Sequence, residues 1–192
     1  MSRFDELLVQ LNLDASAGPT LEQFVILFLR WNAKINLSAA RSTWELDEHV
    51  RDSLHVVPAL RSAGRVLDVG SGGGFPVVLA AICLPATDFV ALEPVHKKHA
   101  FLRTAARELR LPNLESHAER LDDHVARDYD AAVSRATFDL VEWLELGLER
   151  VRPGGSVIAF EAVPRTDLPA GATRVPYELE GKTRALIQLT RP

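Results

Sequence analysis

The sequence predicts an α/β fold: a mostly parallel seven-stranded sheet with an antiparallel C-terminal hairpin, preceded by N-terminal helices. Three observations carry this. From Arg65 onward, short apolar runs alternate with amphipathic helical stretches, which is how a parallel sheet with helices on both faces reads. The first sixty residues show helical periodicity. After residue 172, two strand-like runs follow each other with no helix between them, which suits a hairpin at one side of the sheet. Residues 1–60 therefore read as a helical extension and 61–192 as the sheet domain.

The elements follow in order. Thr20-Leu21-Glu22-Gln23 has capping-box spacing and predicts a buried helix through Trp31. Leu46, Val50, Leu54 and Val57 recur at helical spacing and predict a second helix over 43–60. Strands are predicted at 66–69, 88–92, 114–117, 129–134 and 156–160, with helices at 77–82, 97–109 and 140–151. The hairpin takes 173–178 and 184–190.

At 192 residues, 47% apolar and 25% charged, the chain can bury one sizeable core. Its first residues are charged and lack a secretory pattern, and no apolar run approaches the length of a bilayer span. One cysteine, Cys83, excludes an internal disulfide framework and fits a reducing, cytoplasmic setting. A net charge of −4 argues weakly against a nucleic-acid partner, but its distribution matters more. Residues 95–110 hold five basic side chains and one acid, whereas 111–149 hold three basic and ten acidic ones. Such polarity allows a basic face toward RNA or an ordinary solvated helix face.

Val66-Leu67-Asp68-Val69-Gly70-Ser71-Gly72-Gly73-Gly74-Phe75-Pro76 joins the first strand to a helix. In an open parallel sheet, ligands sit beyond the carboxyl ends of the strands. A dinucleotide fingerprint would need glycine at the sixth position counted from Gly70, where Phe75 stands, and a P-loop would need a lysine that is absent. The pattern present is D-x-G-x-G-x-G, the loop of S-adenosylmethionine (SAM) methyltransferases in a Rossmann-like fold. It assigns Asp68, Gly70, Gly72 and Gly74 to the cofactor. Glu93, at the end of the second strand, can accept both ribose hydroxyls. Glu119, beside Ala118, follows the third strand as an adenine-side wall or as a helix-start acid. Arg135 ends the fourth strand.

Together these pieces resemble the RsmG/GidB family of bacterial 16S ribosomal RNA guanine-N7 methyltransferases. The resemblance starts at Trp31-Asn32-Ala33-Lys34-Ile35-Asn36-Leu37-Ser38 and His49-Val50-Arg51-Asp52-Ser53, with Glu48 where the family has arginine. It continues through the glycine loop with Phe75-Pro76, Glu93, Lys97-Lys98, Phe101-Leu102, Ala118-Glu119 and Ser134-Arg135-Ala136. It implies SAM contacts from Gly70, Phe75, Ala118, Glu119 and Arg135. It departs at Val77, where the family has glycine, and at Glu161-Ala162, where it has lysine-glycine.

The implied reaction needs no general base, since guanine N7 has a lone pair and no proton. Arg135 can fix the methionine carboxylate or an RNA phosphate, and is assigned to the cofactor side as the one catalytic candidate. Lys97, Lys98, Arg103 and Arg107, with Arg110, are candidates for the RNA surface, and Asn32 and Asn36 for acceptor contacts. The expected partner is ribosomal RNA or the small subunit, met by a monomer without metal or membrane. His96 and His99 read as a solvated helix start rather than metal ligands, Cys83 as core, and His49 with Asp52 as a local pair ordering the N-terminal helices.

Overall fold

The computed structural model describes residues 2–38, 40 and 42–192. Strands β1 (Arg65–Val69), β2 (Asp88–Leu92), β3 (Leu114–His117), β4 (Tyr129–Ser134), β5 (Val151–Glu161), β6 (Thr173–Leu179) and β7 (Lys182–Thr190) form one sheet ordered β3-β2-β1-β4-β5-β7-β6. The first five pair in parallel, and β7 runs antiparallel between β5 and β6. The central strands are apolar at successive positions because both faces are covered, and alternate residues serve opposite layers. On one face Val66, Phe89, Ala91, Ala131 and Val133 lie under α5 (Val77–Cys83) and α6 (His96–Glu108). On the other, Leu67, Val69, Val90, Leu92 and Ala132 meet Trp143 and Leu144 of α7 (Leu140–Leu148). The buried Trp143 indole donates to the Ile158 carbonyl at 2.9 Å.

Helices α1 (Asp5–Gln10), α2 (Gly18–Ile35), α3 (Thr43–Leu54) and α4 (Val57–Leu60) share the core of α5 and α6. Phe4, Leu21, Phe24, Phe28, Val50 and Leu54 are buried in that one cluster. The rings of Phe24 and Phe28 pack against Phe75 and Phe101, with centroids 5.3–6.3 Å apart. Each fully buried phenylalanine contributes about 1.5–3 kcal/mol relative to exposure.

Several expected boundaries move. Helix α2 starts at Gly18, ahead of the expected Thr20 cap, with Pro19 in its first turn, where a missing N–H costs nothing. The pair that does form a capping box is Ser42 with Glu45, opening α3. The helix expected over 43–60 stops at Leu54 and restarts as α4 with Pro58 in its first turn. The helix expected to reach Val151 ends at Leu148, and Val151 opens β5. The strand expected over 156–160 is longer: β5 runs from Val151 and takes in Pro153-Gly154-Gly155, where the register to β4 shifts between Tyr129 and Ala131.

Candidate functional site

Strand order reverses beside β1, between β2 and β4, so the crevice beyond the carboxyl ends of these strands is the expected ligand position. Residues 70–74 cross that end. The amides of Gly70 and Ser71 both donate to the Leu92 carbonyl, at 2.9 and 3.1 Å. Gly70 has φ +74°, and a Cβ there would lie 2.1 Å from Thr137 Oγ1, so only glycine fits. At Gly73 the constraint is packing: a Cβ would stand 2.5 Å from Phe28 Cε2. Helix α2 is thereby seated directly on the loop. The Phe75-Pro76 peptide is cis.

Two acids sit behind the loop. Asp68 is buried, and Ser71 donates its hydroxyl to Oδ1. Its Oδ2 has no hydrogen-bond partner among the described residues. Burial pushes the carboxyl up to about 7; the Ser71 bond opposes this, Glu93 adds to it and Arg135 opposes it. Glu93 accepts from the amides of Gly72 and Val95, each at 2.8 Å. It therefore ties the glycine loop to the start of α6, and each of its oxygens keeps a second lone pair.

A cleft of about 420 Å³ opens here, lined by residues including Gly70, Pro94, Glu119, Asp122, Phe138 and Glu142. Glu119 is held from behind by His124: Nδ1 lies 2.5 Å from Oε1, and Nε2 lies 2.7 Å from the Tyr129 hydroxyl. Sequence reasoning missed this pair. Their spacing of five and ten residues from Glu119 carries no helical or strand period. Ala118 is exposed beside Glu119. An acid-rich lining suits a ligand carrying a cationic centre with amine and hydroxyl donors. SAM, with its sulfonium, ammonium and ribose hydroxyls, fits that donor set.

The Arg135 guanidinium is turned toward α3. It donates to Ser53 Oγ at 2.6 Å, to the His49 carbonyl at 3.2 Å and to His49 Nδ1 at 2.8 Å, and lies 3.3 Å from Asp52 Oδ2. It also stands 5.7 and 5.8 Å from the ring centroids of Phe75 and Phe160. Asp52 in turn accepts from Tyr177 at 2.7 Å and pairs with Arg184 at 3.1 Å. Arg184 also pairs with Glu48 at 2.9 Å. So His49, Asp52 and Ser53 share Arg135 as a partner, which joins α3 to the end of β4. Burial first, then Arg135, holds the His49 imidazole below its ordinary range, as its acceptor role at Nδ1 requires.

The remaining expected site residues separate. Asn32 is corrected: it is buried, its amide donates to the Ala40 carbonyl at 2.6 Å, and its oxygen accepts from Ser38 N at 2.9 Å. Both ends hold the chain after α2, and burial leaves it almost no surface to present to an acceptor. Asn36 is exposed and caps α2 in the left-handed region, φ 53°. Lys97 and Lys98 lie in the first turn of α6, three and four residues after Pro94 of the cleft lining. Arg103 and Arg107 lie further along that helix. Glu161 is buried, with Arg174 at 2.7 and 2.9 Å and the Arg165 amide at 2.9 Å. The acid that replaces the family's lysine is thus neutralised within the C-terminal region. Cys83 is buried, and burial pushes its thiol up to about 12. His99 Nε2 lies 3.0 Å from the Ser116 carbonyl.

Comparison with known proteins gives a family and a fold. Residues 18–175 match the family model GidB, described as rRNA small subunit methyltransferase G. The ribosomal RNA small subunit methyltransferase G of Myxococcus xanthus (strain DK1622) is 35% identical over 170 residues, covering 86% of this chain and 78% of that protein. The protein of the same name from Burkholderia mallei (strain NCTC 10229) is 38% identical over 192 residues, covering 93% and 79%. Among solved structures, the O-methyltransferase TomG from Streptomyces achromogenes in complex with SAM superposes with a TM-score of 0.63 at 18% identity, covering 100% of this chain and 97% of that one. The apo S-adenosylmethionine-dependent methyltransferase SibL gives 0.60 at 19% identity, covering 78% and 56%. These two likenesses show the fold.

Proposed function

Because the chain belongs to the GidB family of small-subunit rRNA methyltransferases, we propose that it methylates 16S ribosomal RNA at guanine N7, using SAM. The observation that carries this is the cleft beside Gly70, walled by Glu119, Asp122 and Glu142. SAM supplies an electrophilic methyl group on a sulfonium.

The chain's own residues position and shield. N7 offers a lone pair in the plane of the base and has no proton to lose, so no side chain must act as a base. Alignment of this kind supplies about 7–11 kcal/mol of a barrier. Gly70 and Gly72 let the backbone approach the ligand, Glu93 takes ribose hydroxyls on its free lone pairs, and Ala118 and Glu119 bound the adenine side. Gly74 and Phe75 shape the loop where α5 begins. Arg135, between Phe75 and Phe160, sets the wall where the methyl group meets the base. Lys97, Lys98 and Asn36 are the nearer RNA contacts. On this reading the protein works as a cytoplasmic monomer without a metal.

The test is transfer of labelled methyl from SAM to small ribosomal subunits and to naked 16S rRNA, with the product mapped by cleavage specific for 7-methylguanine. Label at one guanine N7 is expected. Label only on another atom or another acceptor would overturn the reading.

A further inference from the structure

The basic residues of α6 do not form one surface. Lys97 and Lys98 sit at its start, by the cleft, whereas Arg103, Arg107 and Arg110 line a separate groove of about 700 Å³ with Leu114 and Ser116 of β3. Helix α6 runs from His96 to Glu108, so at 1.5 Å per residue Arg103 and Arg107 lie about 9 and 15 Å along it from Lys97.

Three features mark the groove. First, its arginines are free. Among the described residues, none of the three guanidiniums has a hydrogen bond, ion pair or ring partner. Every other described arginine except Arg120 holds an acceptor or an aromatic ring. Second, the nearby acids face elsewhere. Glu108 is engaged by Arg30 at 2.8 Å. Glu115 alternates to the opposite face of β3 from Leu114 and Ser116, and pairs there with His117 at 3.0 Å. Third, β3 is the sheet's edge strand, so no neighbouring strand closes the groove. Three uncompensated guanidiniums in one open groove repel each other unless a polyanion spans them.

We propose that this groove docks the phosphodiester backbone of the substrate RNA at a point remote from the methyl-transfer cleft, orienting the RNA without touching the reacting base. The proposal rests on RNA being the substrate and adds a second contact to it. The occupant is RNA backbone because arginines reach phosphate in bidentate fashion, and the groove offers no aromatic platform for base stacking.

The experiment uses the full chain carrying Arg103→Gln, Arg107→Gln and Arg110→Gln together, with Arg152→Gln as a control elsewhere on the surface. Binding to a 16S rRNA fragment is followed by fluorescence anisotropy between 50 and 300 mM salt, and SAM binding by calorimetry. Loss of three phosphate contacts flattens the log–log salt slope by about 2, at about 0.7 per contact for single strands. The expected result is that flattening, at least a tenfold weaker Kd at the lowest salt, an unchanged SAM Kd and no change in the control. An unchanged slope and Kd in the triple variant would overturn the proposal. Intact binding to naked RNA with lost binding to assembled subunits would overturn it in favour of an acidic protein partner. If the wild-type chain transfers no methyl to RNA yet the triple variant loses RNA binding, the groove stands and the methylation reading falls.

Discussion

Arg135 Nε lies 3.3 Å from Asp52 Oδ2, joining the end of a sheet strand to a helix from the N-terminal part of the chain. Both side chains are largely buried, and Asp52 also holds Tyr177 and Arg184. Removing one partner of such a set strands the others in a low-dielectric environment. Asp52→Ala should cost about 3–5 kcal/mol, read as a shift in denaturant midpoint. Arg30→Ala, which breaks the exposed pair with Glu108, should cost no more than about 1 kcal/mol. Equal effects would mean that the buried cluster is not what anchors α3.

The same cluster makes stability fall in mild acid. His49 accepts from Arg135, and burial followed by the Arg135 charge lowers its affinity for protons below that of the unfolded chain. Glu48 and Asp52 oppose the shift and Arg184 adds to it. The unfolded state then binds more protons, so stability rises with pH. The contribution is complete above the ordinary imidazole value of 6.5 and is lost as pH drops below it. Comparing His49→Gln with the parent at pH 8, 7, 6 and 5.5 isolates this from His55, whose imidazole is also lowered by burial. The two midpoints should converge as pH falls; a constant gap would refute the assignment.

Gly73→Ala places a methyl 2.5 Å from the Phe28 ring. Overpacking of that kind costs about 1–3 kcal/mol. Adding Phe28→Leu should recover part of it, because the clash disappears with the ring. A double variant whose loss equals the sum of the single losses would show that the two sites do not touch.

Asp68→Asn should trade affinity for stability. The wild-type carboxyl has been pushed up to about 7 by burial, so the folded state carries a growing penalty as pH rises from about 3.8 toward 7. Asparagine carries no such charge. The variant's stability relative to wild type should therefore climb across that window and level off above it, while its calorimetric SAM affinity drops. A flat difference from pH 4 to 8 would show that Asp68 is ionised without strain.

Much of the fold was readable because the central strands are apolar on both faces and short, and because the helices between them keep their period. The errors fall where local signals compete. Thr20 has a capping spacing but lies within α2, since Pro19 already starts the helix. Pro153-Gly154-Gly155 has turn composition but is absorbed by a register shift in β5. At the sheet end, the strand-end positions of the glycine loop, Glu93 and Glu119 were legible because each follows directly on an apolar strand run in one segment. The setting of Arg135 was not, because its partners come from α3 and theirs from β6 and β7. Asn32 was misread because its hydrogen bonds reach six and eight residues along the chain, a spacing with no periodic signature.

The Asp52 cluster also dictates an order of events during synthesis. Asp52 and Ser53 leave the ribosome early, but Arg135, Tyr177 and Arg184 emerge only with the last third of the chain. Helix α3 can collapse onto its apolar neighbours beforehand, yet its buried carboxylate stays without a cationic partner until Arg135 is translated, and without its second, Arg184, until β7 follows. The nascent chain must therefore keep this polar seam wet, and the site at the sheet end is sealed as one of the last acts of folding.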